Sequence, residues 1–210
     1  MTAQIVILGG GTGGTLLANR LDRLLPRTEA HVTVVDRDDE HLYQPGLLFL
    51  PFGAAHAHKL VKSRSAQLRP GVSWFQATVD RVDLDNRRVH FDDGTDLHYD
   101  VLVIASGARL LPEETEGLTG PGWNERVFTF YTPQGSARLG HALRKFTGGR
   151  LLVNVVDMPI KCPVAPLEFC FLADAFFRNR GLRDSVDIVY ATPLDSAFTK
   201  PVAAKTLGAL

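Results

Sequence analysis

Apolar and polar positions in the first part of the chain predict a strand, a helix and a second strand in succession. An apolar run covers Ala3 to Leu8, leucines recur at helical spacing over residues 16–25, and a second apolar run covers His31 to Val35. Short apolar runs are typical of strands, whereas a stripe with a period of about 3.6 residues is typical of a helix. Strands that alternate with helices predict an α/β fold built on a parallel sheet.

Short strands separated by turn residues fill the region after residue 72. Asp92 to Thr95 have the composition of a hairpin turn. His90 and His98 lie in this region without a third partner at metal-ligand spacing, so we interpret them as surface strand residues and expect no metal site. We expect a small antiparallel insertion in the first domain, made of the segments Ser73–Ala77, Thr78–Leu84, Arg88–Phe91 and Asp96–His98.

A continuous apolar run over residues 101–105, which follows Tyr99 and Asp100, leads into the small residues 106–108. Such a run is typical of a fully buried parallel strand. Small residues at its end would let a cofactor pass close to the backbone. Prolines, glycines and acids then interrupt the pattern over residues 112–121, which indicates a crossover between domains. We therefore predict a Rossmann-like domain over residues 1–112 and a second domain over residues 113–210.

The second part of the chain repeats the strand, helix, strand order. The pattern predicts a helix over residues 133–146, a strand over 150–156, a helix from Pro166 and a strand over 186–191. Two parallel strands are fewer than a doubly wound sheet contains. We therefore expect the start of a second dinucleotide-binding-type domain, incomplete in this chain.

The turn after the first strand carries the spacing of a dinucleotide-binding loop. Gly9, Gly11 and Gly14 fit the pattern G-x-G-x-x-G, in which the glycines allow a tight turn, a close approach to a pyrophosphate and close packing of helix on strand. The N-terminus of the following helix offers N–H groups to phosphates. Asp36 ends the second strand at about the distance along the chain where an acid binds a ribose hydroxyl. The sequence therefore predicts a bound dinucleotide.

Composition and charge favour a small-molecule enzyme over a polymer-binding protein. Lys and Arg total 23 and Asp and Glu total 23, so the formal net charge is zero and we expect no nucleic-acid partner. No run approaches the roughly eighteen apolar residues of a spanning helix, and no basic segment with an apolar signal core opens the chain. We expect a cytoplasmic protein without a spanning helix. Cys162 and Cys170 are too few for a disulfide scaffold, so their chemistry would be redox or nucleophilic.

The stretch from Asp157 to Glu168 lies where a second glycine-rich loop is expected, and it contains no glycine. Its prolines remove N–H groups that a pyrophosphate needs, which makes NADH an improbable donor. Cys162 follows Lys161 and precedes a helix start marked by Pro166. Both neighbours place positive potential near the sulfur and favour the thiolate.

Cys170 is interpreted as a core residue. In a continuous helix, eight residues would separate its Cα from that of Cys162 by about 12 Å. A disulfide needs less than about 7 Å. Cys170 also lies among Phe169, Phe171 and Leu172, an apolar setting in which a free cysteine behaves as a small hydrophobe.

Together with the glycine turn and Asp36, three further motifs make the whole chain resemble the sulfide:quinone oxidoreductases. These motifs are His41 to Pro45, Ala105 to Gly107, and Pro159 to Cys162. That family belongs to the flavoproteins with two dinucleotide-binding domains, which also include type II NADH dehydrogenases. The histidine-to-proline step and the proline-lysine-cysteine step are specific to it, whereas the glycine turn fits many flavoenzymes.

The resemblance implies FAD in the first domain and a redox cysteine in the second. The glycine turn and Thr12 match the pyrophosphate loop, Asp36 the ribose acid and Val79 the adenine contact, and the remaining positions match segments near the flavin. Cys162 matches one of two redox cysteines, and Glu168 a position where some members carry a glutamate proposed as a base and others a different residue. The implied FAD-binding residues are Gly9, Gly11, Thr12, Gly14, Asp36, Gln44, Pro45, Val79, Ser106 and Gly107.

The implied function is transfer of electrons from sulfide through Cys162 and flavin to a quinone. In the family, the second redox cysteine, a third flavin-binding segment and amphipathic membrane helices lie in the C-terminal half. We therefore expect this chain to correspond to the N-terminal half, to be inactive alone, and to associate peripherally with the inner face of a membrane through the other half. An oligomer is compatible with this interpretation. The alternatives are an NADH dehydrogenase-like or sulfide:cytochrome c flavoprotein, and a non-catalytic flavin-binding or redox-sensing fragment.

Overall fold

A computed structural model describes residues 2–208, which divide into two compact units. The first unit contains the residues up to Tyr43 together with Val61–Arg109. The second contains Gln44–Leu60 together with the residues from Leu110 onward. The segment Gln44–Leu60 groups with residues far along the chain because it packs there: the Oγ of Ser136 donates a hydrogen bond to the carbonyl of Leu47 at 2.7 Å.

The described elements begin with the strand, helix and strand that the sequence pattern predicts. The helices are α1 (Thr12–Leu24), α2 (Ala57–Leu60), α3 (Pro133–Lys145), α4 (Ala165–Asn179) and α5 (Pro201–Leu207). The strands are β1 (Ala3–Leu8), β2 (Ala30–Asp36), β3 (Glu40–Leu42), β4 (Val61–Ser63), β5 (Val72–Gln76), β6 (Val79–Asp83), β7 (Arg88–Phe91), β8 (Asp96–His98), β9 (Val101–Ile104), β10 (Gly149–Asn154) and β11 (Val186–Ala191).

The first unit is built on a parallel sheet with the strand order β5-β2-β1-β9. This is the order 3-2-1-4 that begins a Rossmann sheet. Side chains alternate between its faces along each strand. On one face Ile7 and Val34 pack with residues of α1, and on the other Val6 and Val35 pack with Val89 of the insertion. Both faces are therefore buried, as a parallel sheet requires. The predicted α/β class is confirmed.

The antiparallel insertion contains β6, β7 and β8. The prediction was wrong in adding Ser73–Ala77 to it: β5 pairs in parallel with β2 and belongs to the main sheet. Its residues Val72 and Trp74 pack against the core beside α1, a long-range contact that local alternation does not encode. The hairpin turn is confirmed, since the N–H of Phe91 donates to the carbonyl of Thr95 at 3.0 Å.

The strand β9 pairs in parallel with β1 as predicted, but the prediction that it is fully buried was wrong. Among the described residues β9 lies at the edge of its sheet. Val101 is 48% exposed and Ile104 is 72% exposed. An apolar run indicates that a strand favours burial, but it does not show whether another element packs against that strand.

The second unit repeats the strand, helix, strand order, with β10 and β11 paired in parallel. Its core joins Leu143 of α3, Val153 of β10, Phe169 and Phe177 of α4, and Val186 of β11. The apolar stripe of α4 therefore packs against both strands. None of the helices in residues 2–208 combines the length and hydropathy that crossing a bilayer requires.

Candidate functional site

The glycine turn joins the end of β1 to the start of α1 by a path that demands glycine at two points. Gly9 has a φ of +101°, a region that other residues rarely adopt. A Cβ on Gly9 would lie 2.4 Å from the carbonyl oxygen of Ala105, where the turn crosses the end of β9. A Cβ on Gly14 would lie 1.9 Å from the carbonyl oxygen of Gly9. The turn, the helix and the strand therefore pack backbone on backbone.

Two other glycines of the turn face open space. A Cβ on Gly11 or Gly13 would meet no atom within 4 Å. Gly11 is the N-cap of α1, and no side chain caps the helix there. The first N–H groups of a helix have no partner inside it and carry partial positive charge. The turn thus presents open backbone and a positive helix end, with Thr12 exposed at the first helical position. These features suit an anionic ligand.

Asp36 lies beside the turn with most of its carboxylate already engaged. Its Oδ2 accepts a hydrogen bond from the N–H of Gly10 at 2.8 Å, and its Oδ1 accepts one from the N–H of Arg37 at 2.8 Å. Nη1 of Arg64 lies 2.6 Å from Oδ2. Since a carboxylate offers about four acceptor positions, roughly one remains for a ribose hydroxyl. The hydrogen bond to Gly10 ties Asp36 directly to the glycine turn.

Arg64 links the glycine turn to the segment after β2, a role that the sequence did not indicate. Its side chain is 8% exposed. Nε donates to the carbonyl of Asp38 at 3.1 Å, and Nη2 donates to Oδ1 of Asp38 at 2.9 Å and to the carbonyl of Glu40 at 2.5 Å. A Cβ on Gly10 would lie 2.3 Å from Cδ of Arg64, so the arginine stem packs directly against the glycine turn.

The charge of Arg64 also acts on its second carboxylate, Asp38. Burial opposes ionisation of Asp38, but a hydrogen bond from the N–H of Glu40 and the guanidinium of Arg64 outweigh it, so that the pKa of Asp38 is lowered from 3.8. No periodic or motif signal marks Arg64, which lies in a polar stretch before β5. Its role depends on a contact with residues 24 to 28 positions earlier.

The other predicted FAD positions of the first unit lie at the same edge of the sheet. The N–H of Ala77 donates to the carbonyl of Asp36 at 3.0 Å, which brings Val79, at the start of β6, near the end of β2. Ser106 and Gly107 follow β9 and are exposed, and Gly107 has a φ of +75° with open space around it. These positions therefore gather at the carboxyl ends of the parallel strands.

The second unit carries the remaining predicted residues on a loop and two helix starts. Cys162 lies in the loop between β10 and α4 as a free, half-buried cysteine, and the peptide bond between Met158 and Pro159 in that loop is cis. Glu168 is exposed in the first turn of α4, where Pro166 is the second helical residue. Gln44 and Pro45 are exposed at the start of a 3-10 helix over Gln44–Leu48.

The two cysteines differ in what their sulfur atoms contact. Sγ of Cys170 donates to the carbonyl of Pro166 at 3.4 Å, and its side chain packs against the core of the second unit. Burial raises the pKa of Cys170 to about 11. The predicted core role of Cys170 is confirmed. In the described residues Sγ of Cys162 makes no hydrogen bond, whereas its carbonyl accepts one from the hydroxyl of Tyr131 at 3.1 Å.

The site can be compared with known proteins. Residues 3–143 match the family of pyridine nucleotide-disulphide oxidoreductases. The mitochondrial sulfide:quinone oxidoreductase of Mus musculus is 29% identical over 195 residues, which cover 93% of this chain and 43% of that protein. An alternative NAD(P)H-ubiquinone oxidoreductase C1 of Arabidopsis thaliana is 25% identical over 207 residues, 88% of this chain and 38% of that protein. The solved sulfide:quinone oxidoreductase of Aquifex aeolicus matches with a TM-score of 0.80 at 19% identity, over 98% of this chain and 48% of that chain.

These matches confirm the resemblance that the motifs predict. The chain spans about half the length, or less, of the relatives that it matches. The solved structure shows that the fold is shared across nearly the whole chain. The family match extends over more than half of the sequence and includes the glycine turn, Asp36 and the insertion. The chain belongs to the pyridine nucleotide-disulphide oxidoreductase family.

Proposed function

We propose that the protein is an FAD-dependent oxidoreductase that transfers electrons from sulfide to a quinone, with Cys162 as its redox sulfur. The observation that carries this proposal is the open backbone at Gly11 and Gly13, at the end of β1 and the positive end of α1. An open helix N-terminus of this kind is suited to bind the pyrophosphate of a cofactor. The names of the matched relatives support transfer of electrons to a quinone in a protein of this fold.

The residues proposed to hold FAD are those at the carboxyl ends of the parallel strands. Gly9, Gly14 and Asp36 shape the loop, the N–H groups at Gly11 and Thr12 would bind the pyrophosphate, and the free acceptor position of Asp36 would bind a ribose hydroxyl. The exposed residues Ser106 and Gly107, and with them Val79, are proposed to contact the rest of the cofactor. The same role is proposed for Gln44 and Pro45, which belong to the second unit, from the family resemblance alone. Bound FAD supplies a two-electron acceptor that a quinone can reoxidise.

Cys162 is proposed as the reactive cysteine because its sulfur makes neither a disulfide nor a hydrogen bond within the described residues. Its thiol is free and has no hydrogen-bond partner in residues 2–208, whereas the thiol of Cys170 bonds to the backbone of its own helix. A redox cysteine needs a sulfur that substrate can reach. Glu168 is proposed as a base, because its carboxylate is exposed in the first turn of α4, six residues after Cys162.

The alternative donor is NADH, which the name of the Arabidopsis relative suggests. The loop from residue 155 to residue 164 argues against it. It contains no glycine, and Pro166 removes one N–H group from the first turn of α4. A pyrophosphate would therefore find fewer donors here than at the turn of Gly11.

The test is a spectroscopic titration of the full-length protein. A yellow flavin spectrum that sulfide bleaches and a short-chain quinone restores supports the proposal. Bleaching by NADH but not by sulfide would replace sulfide as the donor, and a colourless preparation that ignores sulfide would refute the proposal. Cys162→Ser should keep the flavin and lose bleaching by sulfide, while Cys170→Ser serves as the matched control and should retain it.

A quinone acceptor also bears on where the protein works. Long-chain quinones partition into lipid, so we propose that the whole protein acts at a membrane surface. Sedimentation of the full-length protein with quinone-containing vesicles tests this. Protein that remains in the supernatant would contradict it.

A further inference from the structure

Residues 156–164, which carry Cys162, make one hydrogen bond to a residue distant in sequence, within the part of the chain that the structure describes. The hydroxyl of Tyr131 donates to the carbonyl of Cys162 at 3.1 Å. The other hydrogen bonds of residues 156–164 are local: the N–H of Met158 donates to Oδ1 of Asp157, and the N–H of Ala165 donates to the same carbonyl of Cys162 at 3.2 Å. The N–H of Glu168 likewise donates locally, to the carbonyl of Val164 at 3.0 Å. The N–H of Val155 holds the start of the loop by donating to the carbonyl of Ala191 at 2.9 Å, and Tyr131 is the polar link at Cys162 itself.

The ring of Tyr131 is itself held in place by aromatic packing. Phe130 stacks on Tyr131 with ring centroids 4.9 Å apart, and Phe130 also stacks on Phe169 at 5.2 Å with nearly parallel planes. Phe169 belongs to the buried core of the second unit and lies in α4, the helix that follows the loop. Thr132, the next residue, caps α3 by accepting a hydrogen bond from the N–H of Gly135 at 3.0 Å. The position of Tyr131 is therefore set by ring stacking on one side and by a helix cap on the other.

The hydroxyl of Tyr131 remains a donor throughout the ordinary pH range. Burial, followed by the charges of Cys162 and Tyr190, raises the pKa of Tyr131 to about 12. A protonated phenol is a hydrogen-bond donor, and a carbonyl oxygen has two lone pairs, so the carbonyl of Cys162 can accept from Tyr131 as well as from Ala165. The contact is consequently the same in acidic and neutral solution.

We infer that Tyr131 is a positioning residue that holds the backbone at Cys162 and so fixes where the redox sulfur lies. This inference rests on the proposed function for its consequence in turnover, but the tether itself is a property of the fold. Without the hydroxyl, residues 156–164 keep their local hydrogen bonds and lose this distant one, while the N–H of Val155 still donates to the carbonyl of Ala191. The sulfur of Cys162 then samples more exposed positions and spends less time in the one that the fold selects.

The first measurement is the rate at which iodoacetamide alkylates Cys162 in the purified protein, followed by mass spectrometry of the peptide that contains it. Tyr131→Phe keeps the stacked ring and removes the hydroxyl. We expect alkylation about fivefold faster, the factor that corresponds to a hydrogen bond of about 1 kcal/mol. Tyr190→Phe is the matched control, because Tyr190 packs against the same core and its hydroxyl has no hydrogen bond in the described residues. It should leave the rate within twofold of wild type.

The second measurement follows sulfide-driven bleaching in the flavin-loaded full-length protein. Tyr131→Phe should bleach more slowly than wild type, with an unchanged dissociation constant for FAD. Faster alkylation together with slower bleaching is the signature of lost positioning, since general loosening of the fold would not leave flavin binding intact. An alkylation rate equal to wild type in Tyr131→Phe, or an equal change in Tyr190→Phe, would overturn the inference. Wild-type protein that is not bleached by sulfide would instead refute the proposed function and leave the alkylation result standing.

Discussion

Arg64 provides the sharpest test of how the first unit is held together. Replacing it with methionine keeps an unbranched apolar stem against Gly10 and removes the guanidinium. The variant loses the contacts at 2.6 Å to Asp36, at 2.9 and 3.1 Å to Asp38, and at 2.5 Å to the carbonyl of Glu40. Two carboxylates and two carbonyls lose a donor at once.

The expected loss of stability follows from the burial of each partner. Removing one member of a buried ion pair costs about 3–5 kcal/mol. The Asp38 side chain is 43% exposed, so water replaces part of what it loses, whereas Asp36 is 19% exposed and recovers less. We therefore expect Arg64→Met to lower the free energy of unfolding by about 2–4 kcal/mol. For a chain of this size that corresponds to a melting temperature lower by about 5–15 °C.

The assay is urea unfolding monitored by circular dichroism, with thermal unfolding as a second measure. Arg150→Met is the matched control, because Arg150 pairs with Asp187 at 2.8 Å while both side chains are more than half exposed. Exposed pairs contribute at most about 1 kcal/mol, so this control should unfold close to wild type. Equal stability of Arg64→Met and Arg150→Met would refute the argument that the buried guanidinium organises the site.

Three further predictions concern the glycine turn and two groups whose pKa values are shifted, Asp38 and Cys170. Gly11→Ala should change the free energy of unfolding by less than about 1 kcal/mol, because its Cβ meets open space, but it should weaken FAD binding at least about tenfold by entering the proposed pyrophosphate site. Gly14→Ala should instead lower the free energy of unfolding by about 1–3 kcal/mol through overpacking. Fluorescence titration with FAD and urea unfolding measure the two effects, and the reverse pattern would contradict both predictions. Acidification below about pH 4 should remove the stability that the lowered pKa of Asp38 contributes, because the unfolded carboxyl then binds the proton first. Asp38→Asn should flatten this acid decline, and an unchanged decline would count against the assigned cause. Burial raises the pKa of Cys170 from 9.0 to about 11, so the contribution of its protonated thiol to stability is complete below pH 9 and is lost as the pH rises to about 11. The free energy of unfolding should therefore fall less steeply over that range in Cys170→Ala than in wild type. Parallel curves for the two proteins would show that Cys170 is not the group responsible.

Predictions from the sequence succeeded where the signal is local. The bounds of β1 and β11 are those that the apolar runs predict, and α1 begins at Thr12, within the glycine motif. Periodicity and turn composition depend on residues within a few positions of each other, so they can be read without knowing the fold. The motif around Cys162 likewise pointed to the family that the comparisons confirm.

Predictions failed where a residue's role depends on a distant partner. The segment of β5 has the short apolar run of an insertion strand, but it joins the main sheet because β2 offers it a parallel edge. Apolar β9 is exposed because its outer edge has no neighbouring strand within the described residues. Arg64 and Tyr131 carry no motif at all, and each acts through side-chain atoms that meet residues 24 to 31 positions away.

The sequence by itself determined the order of strands and helices, the glycine turn, Asp36 and the cysteine that replaces a second glycine loop, because these are patterns of neighbouring residues. The tertiary structure decided which strands pair, which carboxylate is already bound to arginine, and which tyrosine holds the loop of Cys162. Those outcomes depend on which surfaces come together when apolar faces are buried, and burial joins parts of the chain that no local pattern connects.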